Sequence, residues 1–442
     1  MKNLYNKFLE NILLPLGDIA LNTHFIDYLK KWRKIQWYTP DKIRSLERES
    51  LKKLLAYASD NVPYYRDLQI DNNREDPVQW LKDFPVLYKR TIKANMDQLV
   101  MEPRHKLVRE VSSGSSGIQG EVYMTRAEMS KAQAIQTLLW EWSGYYIGAP
   151  LLQLGMTTKR GAVKRVKDLL FHTDYQQAFD INEKEVVKAL QRARNQRVFF
   201  AGYASGLYAY AATAGINEIK DVRFNAVISW GDKMFEHYRA KIKEVFKAPV
   251  YDVYGSTEGL TISGQCEKGR YHVMSPHVYV ELLDREGNEV QPGEMGYVVV
   301  TRLDGFAMPL IRYYLGDLAE RGDPDEVCEC GRGFPMLRRI IGRDTDVVRT
   351  RSGKFLIVHF FTGIFEHYPQ IKQFQVVQSS LDYITINYVP DELSFRSDVL
   401  DIVQEKIQDK LQEPFVIHFN PVNDIAPTAS GKPQIIQSTL PK

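Results

Sequence analysis

The chain is poor in cysteine, in net charge and in long apolar runs. Its 442 residues include three cysteines. That number is odd and too low for the disulfide framework of a secreted protein, so a cytoplasmic location is expected. Lys and Arg total 58 against 55 Asp and Glu, a net charge of +3, which argues against nucleic acid or another general polyanion as a partner. The most apolar stretch near the start, Phe8 to Leu21, is interrupted by Glu10, Pro15, Gly17 and Asp18, short of the roughly 20 residues a membrane-spanning helix needs. No small-residue cleavage site follows, so no signal peptide is expected. Two readings of this stretch stay open. It is a helix packed on its own domain, or an amphipathic segment on a membrane face beside Lys30, Lys31, Arg33 and Lys34. No internal repeat or low-complexity tract is present.

What is there is the length and pattern of an α/β protein with one large domain and a smaller one. Thr39-Pro40-Asp41 starts a helix that Ile43, Leu46, Leu51, Leu54, Leu55 and Ala58 continue at helical spacing, and Asn61-Val62-Pro63 should stop it. Ala226 to Ser229, Met234 to Phe246 and Val250 to Tyr254 read as strand, helix and strand, with a turn motif after each strand. In open α/β sheets ligands bind beyond such carboxyl ends. Val278 to Leu283 and Tyr297 to Thr301 read as strands around the turn Asp284 to Asn288. Later come strands at Phe374 to Val377 and Tyr383 to Tyr388 and a helix from about Phe395 to Leu411. The domains are placed at 1–342 and 343–442, the second being α+β.

Five short signatures follow one another: Ser112-Ser113-Gly114-Ser115-Ser116-Gly117, Tyr254-Gly255-Ser256-Thr257-Glu258, Tyr314-Leu315-Gly316-Asp317, Gly342-Arg343-Asp344-Thr345-Asp346 and Ser430-Gly431-Lys432. Each alone reads equally well as a turn or linker. Their order points to activation of a carboxylate by ATP, which must hold a triphosphate, offset charge on phosphate and exclude water. Ser112 to Gly117 offers hydroxyls and close backbone N–H groups for phosphates, and it precedes a strand-like run, Glu121 to Met124. Trp230, Gly231 and Asp232 lie at the other strand end. Tyr254 can lie against adenine, Thr257 can bond phosphate, and Glu258 can hold Mg²⁺. Asp317 can accept the ribose hydroxyls. Lys432, in a polar stretch, is either a solvated charge or the cation that meets the α-phosphate.

On these motifs the chain resembles the adenylate-forming superfamily of acyl-CoA synthetases, and within it the phenylacetate-CoA ligase family, in the branch found in capsular-polysaccharide gene clusters. The resemblance covers nearly the whole chain, including Trp32 to Trp37 and Asn61-Val62-Pro63-Tyr64-Tyr65-Arg66. It implies a large N-terminal domain with mixed sheets, surrounding helices and the active site. A small mobile C-terminal domain would rotate about Gly342 to Asp346 and carry Lys432. It also implies that an aromatic or other small carboxylic acid is activated with ATP and Mg²⁺ and passed to coenzyme A, with Arg343 among the cofactor-binding residues. Two departures stand out. Ile118-Gln119-Gly120-Glu121 follows the phosphate loop where relatives usually have proline or lysine, which removes support for a loop lysine on pyrophosphate. Thr345 takes the place of the usual pivotal aspartate, leaving Asp344, Thr345 and Asp346 open as the pivot.

Cys266, His272, Cys328 and Cys330 read either as ordinary buried thiols or as a closed structural zinc site, and related ligases with this cysteine pattern favour zinc. Lys159, Arg160, Lys164, Arg165 and Lys167 are a solvated helix face or a dock for a coenzyme A phosphate or an anionic carrier. Trp140, Trp142, Tyr145 and Tyr203 are core aromatics or the lining of an aryl-acid pocket. The alternatives to coenzyme A transfer are a glycan amine or hydroxyl, a carrier thiol, AMP transfer to a coenzyme, and a non-catalytic nucleotide-binding scaffold. Peripheral membrane contact and a homodimer are left open.

Overall fold

Thr39 and Pro40 start the Pro40–Asn61 helix as their chemistry dictates. The threonine hydroxyl accepts from Lys42 N at 3.3 Å, and proline occupies the first turn, where its missing N–H costs nothing. Val62, held extended by the following proline, ends it. The chain is seen in a computed structural model that describes residues 3–70, 74–111, 121–155, 161–178, 183–194, 196–219, 221–256, 258–343, 347–351, 355–365, 367–411, 415–426 and 434–440.

Five strands run parallel side by side: Val250–Ser256, Phe224–Trp230, Val198–Tyr203, Leu151–Gly155 and Thr173–Gln177. Beyond Val250–Ser256 the sheet continues through Leu260–Gln265, Tyr271–Val273, Met336–Arg343, Tyr313–Arg321, Met295–Arg302 and Val278–Leu283, eleven strands among the described residues. The central strands Val198–Tyr203 and Phe224–Trp230 are largely apolar on both faces because both are covered. Phe199, Ala201 and Ile228 join a core with Ala134 and Leu138 of the Arg126–Glu141 helix. Phe200, one residue out of phase, meets Tyr210 and Phe246 of the Ala204–Ile216 and Glu236–Phe246 helices on the opposite face.

Two compact units result, one of Met1–Leu315 with Ala319–Ile340 and one of Gly316–Leu318 with Ile341–Lys442. In the second, a four-stranded sheet runs Val416–Pro421, Tyr383–Pro390, Ile371–Ser380, Ile436–Ser438. Its buried residues include Val376, Ile384 and Ile386, and Val403 and Ile407 of the Asp398–Leu411 helix are also buried. Buried Gln378 acts as an extra strand partner: its side-chain oxygen accepts from Arg349 N at 2.8 Å and its Nε2 donates to Arg349 O at 2.6 Å. The helix expected from Phe395 starts at Asp398, because Asp391 accepts from the backbone N–H groups of Leu393 and Ser394 and holds a turn there.

Candidate active site

The Val250–Ser256 strand carries Tyr254, Gly255 and Ser256 to its carboxyl end. Gly255 is needed where it stands, since a Cβ would fall 2.5 Å from Leu260 O in the returning strand. Thr257 lies outside the described residues. Glu258, buried at 4% exposure, has Tyr313 Oη donating to its Oε1 at 3.0 Å and Lys89 Nζ at 3.6 Å. Burial opposes its ionisation, but the Lys89 ammonium and hydrogen bonds, Tyr313's among them, outweigh burial and hold the carboxyl below the usual carboxylate range. Glu258 is therefore a charged oxygen donor, the type Mg²⁺ accepts. Lys89 opens the Lys89–Ala94 helix. Backbone bonds position it: Leu87 N donates to Arg312 O at 2.9 Å and Tyr314 N to Leu87 O at 3.0 Å. The Tyr88 and Tyr314 rings lie 5.2 Å apart.

The neighbouring strand ends in Trp230, followed by Gly231 and Asp232. Gly231 has φ +81°, and a Cβ there would lie 2.5 Å from the Tyr203 ring, so both backbone and space demand glycine. Asp232 caps the Ala204–Ile216 helix, accepting from Ala204 N at 2.5 Å, Ser205 N at 3.1 Å and Ser205 Oγ. Trp140 stacks on Trp230 at 5.2 Å and meets Tyr145 edge-on at 5.4 Å, and Tyr203 lies 6.4 Å from Trp230. Trp140 Nε1 is buried with no hydrogen-bond partner among the described residues. Trp142 is set apart from this group. Its indole donates to Gln36 Oε1 at 2.9 Å and its ring meets His272 and Phe334.

Within the second unit, Arg343 Nε sits 3.2 Å from Asp317 Oδ1. Ser112, Ser113, Gly114, Ser115, Ser116, Gly117, Asp344, Thr345, Asp346 and Lys432 lie outside the described residues, as do Lys159 and Arg160.

The donor atoms of Cys266, His272, Cys328 and Cys330 all lie within 4.8 Å of one another. Cys266 Sγ is 3.8 Å from Cys328 Sγ, and Cys330 Sγ is 3.3 Å from His272 Nε2. A zinc tetrahedron with Zn–S of about 2.3 Å and Zn–N of about 2.0 Å sets such edges at about 3.8 Å and about 3.5 Å, so the donors fit the ion. Two tight turns build the cluster. Gly269 N donates to Cys266 O at 2.9 Å and Gly331 N to Cys328 O at 3.0 Å, each glycine having positive φ. Lys268 N and Arg332 N point at the Cys266 and Cys330 sulfurs. Burial pushes the His272 imidazole down to about 4, leaving the neutral form that binds metal. Arg332 closes the cluster, 2.8 Å from Glu267 and over the Trp142 ring at 4.5 Å.

Residues 348–439 match the family described as the CapK C-terminal domain. The chain is similar to Protein CapK of Staphylococcus aureus, 22% identical over 92% of this chain and 91% of that one. It is also similar to the phenylacetate-coenzyme A ligase of Thermus thermophilus, 25% identical over 84% and 86%. Among solved structures it resembles 2-hydroxyisobutyryl-CoA ligase in the postadenylation state, TM-score 0.70 at 17% identity, covering 92% and 91%. These relatives are matched along most of both chains. The chain's α/β architecture is that of the adenylate-forming ligases.

The sequence signals named Tyr254 to Glu258, the Trp230-Gly231-Asp232 strand end and the four metal-type donors, and the structure brings those four donors together. They did not name Lys89 or Tyr313. Lys89 sits in no signature, and only the backbone bonds between Leu87 and residues 312 and 314 carry it to Glu258. Tyr313 adjoins a motif, Tyr314 to Asp317, and that adjacency was the available signal.

Proposed function

We propose that the chain is an AMP-forming ligase that activates a small or aromatic carboxylic acid with ATP and passes the acyl group to coenzyme A. The observation that carries this reading is Glu258, buried yet ionised beside Lys89 and Tyr313 at the carboxyl end of a parallel strand, in a chain related along most of its length to phenylacetate-coenzyme A ligases.

The substrate carboxylate attacks the α-phosphorus of ATP, the α–β phosphoanhydride bond breaks, and pyrophosphate leaves. A thiolate then attacks the acyl carbonyl and AMP departs with the bonding electron pair. Glu258 and Lys89 place opposite charges side by side in a desolvated site, where a phosphate group gains most from fixed charges. Mg²⁺ held by Glu258 would offset charge on the phosphate oxygens. Gly114 and Gly117 with the serines around them, together with Ser256 and Thr257, are assigned to phosphate. Tyr254 is assigned to the adenine, Asp317 and Arg343 to the ribose side, and Lys432 to the α-phosphate during adenylation. Gly342 to Asp346 is assigned as the hinge between 1–342 and 343–442. Trp140, Trp230, Tyr145 and Tyr203 supply flat apolar faces suited to an aryl or compact acyl group. Cys266, His272, Cys328 and Cys330 are assigned to a structural zinc, which ties the 266–272 hairpin to the 328–334 segment, and the reaction to the cytoplasm.

Carboxylate-dependent exchange of labelled pyrophosphate into ATP, over a panel of aryl, fatty, hydroxy and amino acids, tests adenylation. Exchange with one acid class, lost in Lys432→Ala with ATP binding retained, is the expected result. Thioester formation with coenzyme A then tests the acceptor. ATP binding without exchange for any acid would overturn the ligase reading.

A further inference from the structure

The first helices of the chain carry their polarity inside out. Asn6, buried, donates to Ile147 O at 3.1 Å, and Glu10, also buried, meets Arg33 at 2.5 Å. Asp18 accepts from Thr23 Oγ1 and from the backbone N–H groups of Phe25 and Ile26. These three polar side chains are thus spent inward. The outward face over Leu4–Phe8, Leu9–Leu13 and Leu14–Leu21 presents Leu4 (86% exposed), Phe8, Ile12, Leu16 and Ile19 (80%) at steps of four, four, four and three. Such steps trace one stripe on a helix. Among the exposed residues from Asn3 to Asn22 there is no carboxylate and one cation, Lys7.

A second stripe lies at the same corner. In the Ala162–Leu170 helix, Val163 (84% exposed), Val166 and Leu169 (77%) recur every three residues, and Lys164, Arg165 and Lys167 are exposed around them. The one carboxylate of this helix, Asp168, is half-buried. Tyr5 Oη donates to Leu170 O at 2.8 Å and the Tyr5 ring meets His172 at 5.0 Å, so the two helical segments are joined. Leu9 anchors the first segment against Gly148, where even a Cβ would come within 2.6 Å of its side chain. Single exposed apolar residues are ordinary on a protein surface. Two joined stripes, with Asn6, Glu10 and Asp18 turned inward, are not.

We propose that this corner is a membrane-docking surface, with the stripe of Leu4 to Ile19 entering the interfacial region of a bilayer and Lys164, Arg165 and Lys167 meeting anionic headgroups. Charge selects this occupant. The rim is basic and the stripe is almost free of charge, which suits an anionic lipid surface. No described helix is long and apolar enough to cross a membrane, so the contact is peripheral.

The test is flotation of the full chain with vesicles of phosphatidylcholine alone or mixed with phosphatidylglycerol. Wild type should float with the mixed vesicles and less as salt rises. Ile12→Ser/Leu16→Ser/Ile19→Ser and, separately, Lys164→Glu/Arg165→Glu/Lys167→Glu should each lower the bound fraction about tenfold with unchanged melting temperature. Phe8→Trp should show a blue-shifted emission on the same vesicles. Failure to float, or flotation unaffected by either triple variant, would overturn the proposal. So would a homodimer in sedimentation that the apolar triple variant converts to monomer, since the occupant would then be a second copy.

Discussion

Replacing Lys89 by methionine keeps the stem and removes the charge that faces Glu258. The ammonium is 3.6 Å from Glu258 Oε1, and the carboxylate is 4% exposed. At an effective dielectric of about 20, unit charges at that distance interact by about 4–5 kcal/mol, and removing one partner of a buried pair costs about 3–5 kcal/mol. Lys89 keeps 14% of its side chain exposed, so the low end applies and a loss of about 3 kcal/mol is expected at about pH 8. The sign of the pH dependence follows from the depressed Glu258 carboxyl. Its stabilising contribution is present above the ordinary carboxylate range and is lost as pH falls through the lowered value. In Lys89→Met, burial goes unopposed by the lysine and the carboxyl takes a proton more readily, so the deficit should shrink toward about pH 4.5. Urea unfolding of both proteins at the two pH values measures this. In a Glu258→Gln background the same lysine change should cost less than about 1 kcal/mol. A deficit equal at both pH values, or additive with Glu258→Gln, would refute the reasoning.

Purified chain should contain about one zinc per molecule by elemental analysis, and Cys328→Ser should lose it and unfold at lower temperature with no selective catalytic defect; metal-free wild type would end that assignment. Gly231→Ala should cost about 2 kcal/mol or more, because alanine at φ +81° also meets the Tyr203 ring, and should raise KM for the acid; unchanged stability by thermal melting would contradict the packing. Burial pushes Glu47 up to about 7 against the hydrogen bond from Ser275 Oγ at 2.6 Å. A raised carboxyl binds its proton more tightly when folded, so stability should fall between about pH 4.5 and pH 7, by about 3 kcal/mol. Glu47→Gln should flatten that slope in denaturant titrations, and an unchanged slope would assign it to other groups.

The candidate site was legible where its residues are local in sequence. Tyr254 to Glu258 and Gly231-Asp232 end strands whose β periodicity is plain, and the sheet beneath them has the expected parallel order of Phe224–Trp230 and Val250–Ser256. Asp232 turned out to hold the start of the Ala204–Ile216 helix, a role that depends on a neighbouring strand and so leaves no trace in the motif. Lys89 was illegible for the same reason, its partner being far along the chain. Arg33, grouped with nearby lysines as a surface cation, is drawn inward by Glu10 and Glu141. The stretch Phe8 to Leu21 could be read either way because hydropathy tells how apolar a helix is, while the direction it faces depends on where Asn6 and Glu10 find their partners.

The four donors of the cysteine–histidine cluster come from two segments, with Cys266 and Cys328 separated by 62 positions. During synthesis the first knuckle and His272 emerge well before the second, and the cluster cannot close until Cys330 has left the ribosome. Closing so long an intervening segment carries an entropic cost that rises only slowly with length, so the delay matters more than the distance. Most of the sheet between Leu151 and Arg321 has by then been made, and capture of a metal ion would lock it late. A shortage of zinc in the growing cell would then show first as fewer folded molecules, each working at its normal rate.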